Sequence, residues 1–226
     1  MTVVQKSEEP VRARRTSRLV GWGLLAGGAL FFIGGGMHPK EDPPDVTVKE
    51  HLRIMFEDPT WYPSHAVLLA GMVLIAAALV ALVRGTLAVP PAQSAAVLAA
   101  VTAVLAAAGM LLHLVIATES DEIDHGHATP LTDVNVVVET ITTPAFGLGI
   151  AVLAAVGAAT RTIGNWVVAV PGVVGGLAYA LAGATFLITD RLNFLFPLAA
   201  GIGVWAVVAG IALLRRRATA PATSAA

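Results

Sequence analysis

Apolar residues run along this chain in six long blocks separated by shorter polar segments: Leu19–Met37, His65–Val83, Ala95–Ala117, Val136–Ala159, Trp166–Ile188 and Phe194–Leu214. Each is close to, or longer than, the roughly 20 helical residues needed to cross a hydrocarbon core of about 30 Å. The blocks are rich in Leu and Ala and lack the two-residue alternation of barrel strands. A helix satisfies its own backbone hydrogen bonds inside lipid, so helices are the predicted spans. The expected fold class is an all-α integral membrane protein, a bundle of six transmembrane helices. Its expected organisation is a basic tail over residues 1–18, a membrane domain over 19–214 and a second basic tail over 215–226, with the extreme ends disordered.

The connections after the second, fourth and fifth blocks are short and predict antiparallel neighbours, whereas those after the first and third are longer and polar and share one face. In the first long connection, Thr47-Val48-Lys49-Glu50 has the form of a capping box, in which a hydroxyl and a carboxylate satisfy free amides at a helix start. A short helix is predicted from there. Val48, Leu52, Met55 and Phe56 recur at helical spacing, so it is expected to be interfacial, lying on the outer surface or capping the bundle. Trp61 and Tyr62 have the amphipathic rings that mark a membrane boundary.

Composition agrees with a lipid environment: 56% of the 226 residues are hydrophobic and 13% charged, with a mean hydropathy of +0.77. The formal net charge of −1 conceals a separation along the chain. Ten basic residues (Lys6, Arg12, Arg14, Arg15, Arg18, Arg84, Arg161, Arg215, Arg216 and Arg217) and two acids, Glu8 and Glu9, fall on the face holding both termini, giving +8. The opposite face has four basic and thirteen acidic residues, giving −9. The positive-inside rule makes the first face cytoplasmic, and the setting expected is a bacterial plasma membrane. Arg14-Arg15 before an apolar block faintly resembles an export leader, but no small-x-small cleavage site follows, and Gly34-Gly35-Gly36-Met37-His38 reads as a helix end. The absence of cysteine excludes disulfides, iron–sulfur clusters and thiolate metal sites.

All six histidines, His38, His51, His65, His113, His125 and His127, fall on or near the acidic face. His38 ends the first block, His65 opens the second and His113 lies inside the third, so the three share a depth. Glu139 enters the fourth block from the same side, followed by Thr140, Thr142 and Thr143, while Asp190 closes the fifth beside Arg191. Ionisable residues inside a span are costly and usually face the bundle interior. His38, His65, His113 and Glu139 form a candidate ligand set for zinc, copper or iron. His65 and His113 on facing helices are alternatively placed to clamp a b-type haem. A metal-independent reading makes Glu139, Asp190 or His65 the acid–base groups of an enzyme acting on a lipid or terpenoid. The bland reading is a structural or accessory protein whose histidines hydrogen-bond between helices.

Asp121, Glu122, Asp124, His125, Gly126 and His127 make a second, more exposed polar group, for which a solvated loop is the ordinary explanation. Gly23 with Gly27 and Gly172 with Gly176 have small-xxx-small spacing, which serves packing within the bundle or a homo-oligomer. There is no P-loop, dinucleotide fingerprint, nucleophile elbow or His-Glu-x-x-His helix. The dispersed basic residues give no nucleic-acid surface, so the expected partners are the bilayer and other membrane proteins.

Overall fold

The structure, a computed structural model, describes residues 5–39, 47–85, 89–185 and 192–215. Its helices are α1 (Gln5–Met37), α2 (Val48–Glu57), α3 (Trp61–Arg84), α4 (Pro90–Ile116), α5 (Ser120–Asp124), α6 (Pro130–Ala159), α7 (Trp166–Thr185) and α8 (Ala200–Arg215), and no strand occurs among the described residues. A 3-10 turn, Ala117–Glu119, joins α4 to α5, and another, Asn193–Ala199, leads into α8. Six segments are long and apolar enough to cross a membrane, confirming the all-α six-span fold. The boundaries extend further than the apolar blocks. Pro90 and Pro130 start α4 and α6, since proline in the first turn has no amide to waste. The helix α1 begins at Gln5, inside the segment expected to be disordered, where Gln, Lys, Glu and Arg have good helix propensity.

Each span packs on the next in sequence, α1 on α3, α3 on α4, α4 on α6, α6 on α7 and α7 on α8, and α8 returns to pack on α1. The result is a closed ring of six antiparallel helices. Its outer surface carries half-exposed apolar side chains such as Val101 and Leu105 of α4, Val137, Ile141 and Leu148 of α6, and Val170, Val174 and Leu181 of α7. A surface so apolar is suited to lipid. The inside holds Ile75, Leu79, Phe146, Ile150, Leu153 and Trp205, all buried.

Small residues set the helix separations. A Cβ on Gly147 of α6 would strike the Gly176 carbonyl of α7, and one on Gly176 would strike that of Gly147. Gly28 and Gly203 stand in the same relation between α1 and α8, and Gly23 and Gly27 meet α3 at Ala78, Gly71 and Ile75. The small-residue pairs therefore serve packing inside one bundle, where backbones approach closely enough for dispersion contacts between helices.

One end of the ring carries Arg84, Arg161 and Arg215 at the ends of α3, α6 and α8; the other carries the histidines. These are called the arginine end and the histidine end. At the histidine end, α2 caps the bundle, with Leu52 and Met55 each 3% exposed and Met55 packed with Trp61 and Ala117. Thr47 is its N-cap, its hydroxyl accepting from the Glu50 amide at 3.2 Å. The Glu50 carboxylate pairs with Arg53 at 2.9 Å, so only the hydroxyl half of the predicted box is made. Arg53 also pairs with Glu57 at 2.7 Å, and Lys49 reaches Asp133 of α6 at 3.5 Å.

Candidate functional site

The site at the histidine end is built from the last residue before the α1–α2 connection, the first two turns of α3, the last turn of α4 and the second and third turns of α6. The helical offset of four residues places Trp61 and His65 on one face of α3, where their rings stack with centroids 4.5 Å apart at 30°. His65 is flanked by His38 from the end of α1 and by His113 from α4, each with its centroid 4.8 Å away, tilted at 59° and 34°. Trp61 also contacts His113, at 5.6 Å. On α6, Asn135 and Glu139 stand one turn apart and both face His113. Nδ1 of His113 lies 3.0 Å from Oε1 of Glu139 and 3.1 Å from Nδ2 of Asn135.

Trp61, His65 and Asn135 are 1%, 2% and 1% exposed, so this is an interior cluster and not a surface one. Water cannot substitute easily for a lost partner there, and the hydrogen bonds present fix the rings. Nδ1 of His38 bonds the Pro39 carbonyl at 2.8 Å, and Nδ1 of His65 bonds the Trp61 carbonyl at 2.7 Å. A carbonyl only accepts, so Nδ1 is the protonated nitrogen in both rings. Ser64 adds a hydroxyl 3.2 Å from the same His65 nitrogen while donating to the Trp61 carbonyl at 2.9 Å. Oδ1 of Asn135 is buried and has no hydrogen-bond partner within the protein.

This arrangement bears unequally on the predicted chemistries. Two rings in contact at 4.8 Å leave no slot for a porphyrin between His65 and His113, so these residues do not fit a doubly ligated haem. The three rings form a row, with His65 in the middle, rather than a circle about one point. Among the described residues, no group of three or more His, Cys, Asp or Glu side chains is arranged to hold a metal ion. Glu139 is engaged with His113, as an orienting or proton-sharing partner. Asp190 lies outside the described residues.

Trp61 opens α3 and with it the second span, its ring buried against His65, whereas Tyr62 beside it is 54% exposed. Two further residues were not legible in the sequence. Asn135 carries no signal beyond being polar near a helix start, and its role follows from the α4–α6 contact. Glu119 bridges the connection to α6, its carboxylate accepting from the amides of Leu131 and Thr132 at 3.0 and 2.8 Å and from the Thr132 hydroxyl at 2.8 Å. These bonds satisfy free amides that Thr129, the N-cap residue, leaves uncapped.

Above the cluster, Arg53, Phe56, Glu57, Tyr62, Ala117, Ser120 and Asp124 line a half-open cleft of about 170 Å³ between α2, α3 and α5. Phe56 meets Trp61 edge-on at 4.8 Å, so the cleft and the histidine row are separated by one aromatic layer. Here the hydrogen bond from Arg53 holds the Glu50 carboxyl below the ordinary range, and those from Thr60 do the same for Asp58. The second polar group is exposed: His125 bonds the Asp121 carbonyl at 2.7 Å, and His127 bonds Glu122 at 2.6 Å after a turn at Gly126 with φ 67°. Comparison of the chain with protein-family models, with curated proteins and with solved structures gives no match, so its reading rests on this geometry.

Proposed function

We propose that this multi-pass membrane protein handles protons at its histidine end, with Glu139 and His113 as an acid–base pair and His65 as the adjoining ring. The observation that carries this reading is the 3.0 Å contact between an imidazole nitrogen and a carboxylate oxygen inside two facing spans. Ionisable side chains are expensive at that depth and mark proton relays, transport paths or catalytic sites in membrane proteins. An imidazole and a carboxylate at this distance can pass a proton between them. Such a pair supports either proton-coupled transport or acid–base catalysis on a membrane-borne substrate. The charge asymmetry of the chain supports a histidine end that faces away from the cytoplasm, and the membrane proposed is a bacterial plasma membrane.

The test is infrared difference spectroscopy on protein in nanodiscs, titrated between about pH 4 and 9, a range spanning the ordinary carboxyl and imidazole values. A carboxyl band that appears on acidification and is missing from Glu139→Gln is the expected result. A Glu139 that keeps one protonation state throughout sinks the proposal.

A further inference from the structure

Along α6, Thr132, Asn135, Glu139, Thr142 and Thr143 recur at helical spacing and form one polar stripe. At the histidine end, the stripe begins under the Glu119 carboxylate, which holds the Thr132 hydroxyl at 2.8 Å. Deeper in, Thr142 faces α4, where a Cβ on Gly109 would meet its hydroxyl, and Thr143 faces α7, where a Cβ on Gly183 would meet its side chain. From Thr132 to Thr143 is eleven residues, about 16 Å of helix at 1.5 Å each, or roughly half of a hydrocarbon core. There the stripe stops. Phe31, Phe146 and Tyr179 pack edge to face across the middle of the ring, at centroid distances of 6.2 to 6.3 Å. Beyond them, the buried residues of α6 are Gly147, Gly149, Ile150, Ala151, Leu153, Ala154, Gly157 and Ala158, none with a polar side chain, and the Thr102 hydroxyl of α4 that faces Gly149 is spent on the Leu98 and Ala99 carbonyls of its own helix.

Resting on the acid–base reading, we propose that this seam is a one-sided proton path, so that Glu139 exchanges protons with the compartment at the histidine end and not with the compartment at the arginine end. The titratable groups facing Glu139 and its partner are His113 from α4, His65 from α3 and Tyr179 from α7, with His38 behind His65; the adjoining α6 positions supply Asn135 and Thr143, which do not titrate. Each passage is balanced. His113 gains a proton at Nε2 and releases the one on Nδ1 to Glu139, which leaves a neutral imidazole and a neutral carboxylic acid.

Asn135 gives this step its distinctive feature. The 3.1 Å contact present here, amide nitrogen on Nδ1, corresponds to the state after transfer, in which Nδ1 is bare, the Asn135 amide donates to it and Glu139 beside it is the neutral acid. With Nδ1 protonated and Glu139 ionised, the amide turns over and its oxygen accepts. A carboxamide offers a neutral donor and a neutral acceptor at two ends of nearly the same shape. The orphaned, buried Oδ1 is the end not in use.

The experiment is carbodiimide labelling, because dicyclohexylcarbodiimide modifies a protonated carboxyl in apolar surroundings. The chain has no cysteine, so a Thr118→Cys handle at the histidine end reports orientation in proteoliposomes through an impermeant maleimide. The pH is then set separately inside and outside, and the adduct at Glu139 is read by mass spectrometry. Labelling that follows the pH of the histidine-end compartment, at least tenfold slower in Asn135→Leu and absent in Glu139→Gln, is the expected result. Labelling that follows the arginine-end pH, or both equally, overturns one-sided access while leaving the acid–base pair intact. Glu139 that resists labelling at every pH, with the infrared band also fixed, removes both the path and the pair.

Discussion

The two halves of the helix ring are held together by different means. Through the middle of the ring, the spans meet through glycine and alanine, with backbone against backbone at Gly147–Gly176 and Gly28–Gly203. The histidine end keeps one such contact, Gly34 against the Ser64 carbonyl, and adds side chains, with His113, Asn135 and Glu139 joining α4 to α6 and a row of rings joining α1, α3 and α4. Lipid tails are as apolar as the side chains, so association must come from close packing or from polar contacts. The proton path proposed above lies in the part built on imidazole, amide and carboxylate.

That contrast can be broken most severely at the glycine seam. Gly147→Leu drives a side chain into the Gly176 carbonyl, and we expect a loss of about 3 kcal/mol or more, visible as a lower thermal midpoint in detergent. Next in size is Glu119→Ala, which strips the start of α6 of three hydrogen bonds; about 1–2 kcal/mol is expected, in line with the loss of a helix cap. His113→Ala should cost about 0.6 kcal/mol, the average for a hydrogen bond between membrane helices, while slowing carbodiimide labelling of Glu139. Loss of folding in that variant would mean that the polar half is structural.

The smallest effect concerns the cap. The carboxyls of Glu50 and Asp58 are held below their ordinary values, so their stabilising contribution is complete above the ordinary values of 4.5 and 3.8 and fades as the pH falls through the lowered ones. The protection of the α2 amides against hydrogen exchange, taken relative to the intrinsic rate at each pH, should therefore be flat from neutral pH down to the ordinary carboxyl range and fall only below it.

How much of this was legible in the sequence follows the range of the interactions. Six spans were readable because apolar length is a local property, and the start of α2 because Thr47 and Glu50 are three residues apart. The common depth of His38, His65 and His113 followed from counting residues from the ends of the blocks. What they do to one another did not, because ring tilt and hydrogen-bond partners depend on helix rotation, which lipid-facing and ring-facing apolar residues do not distinguish. Asn135 and Glu119 act across 22 and 12 or 13 residues of chain, so neither left a local pattern. Trp61 and Tyr62 marked the start of the second span, but which ring turns inward was not readable, because an amphipathic ring suits either an interface or a buried stack.

The closed order of the ring bears on how the protein is made. The helix α1, made before α8, has two glycine faces, and one of them, at Gly21 and Gly28, meets α8. Until α8 arrives, that face must be shielded by lipid or by the insertion machinery, and no shorter nascent chain completes the circle. Closure between the most distant parts of the sequence is the slowest kind of contact to form. Membrane quality control that senses an unpaired glycine face would thus measure the arrival of α8 rather than the insertion of α1.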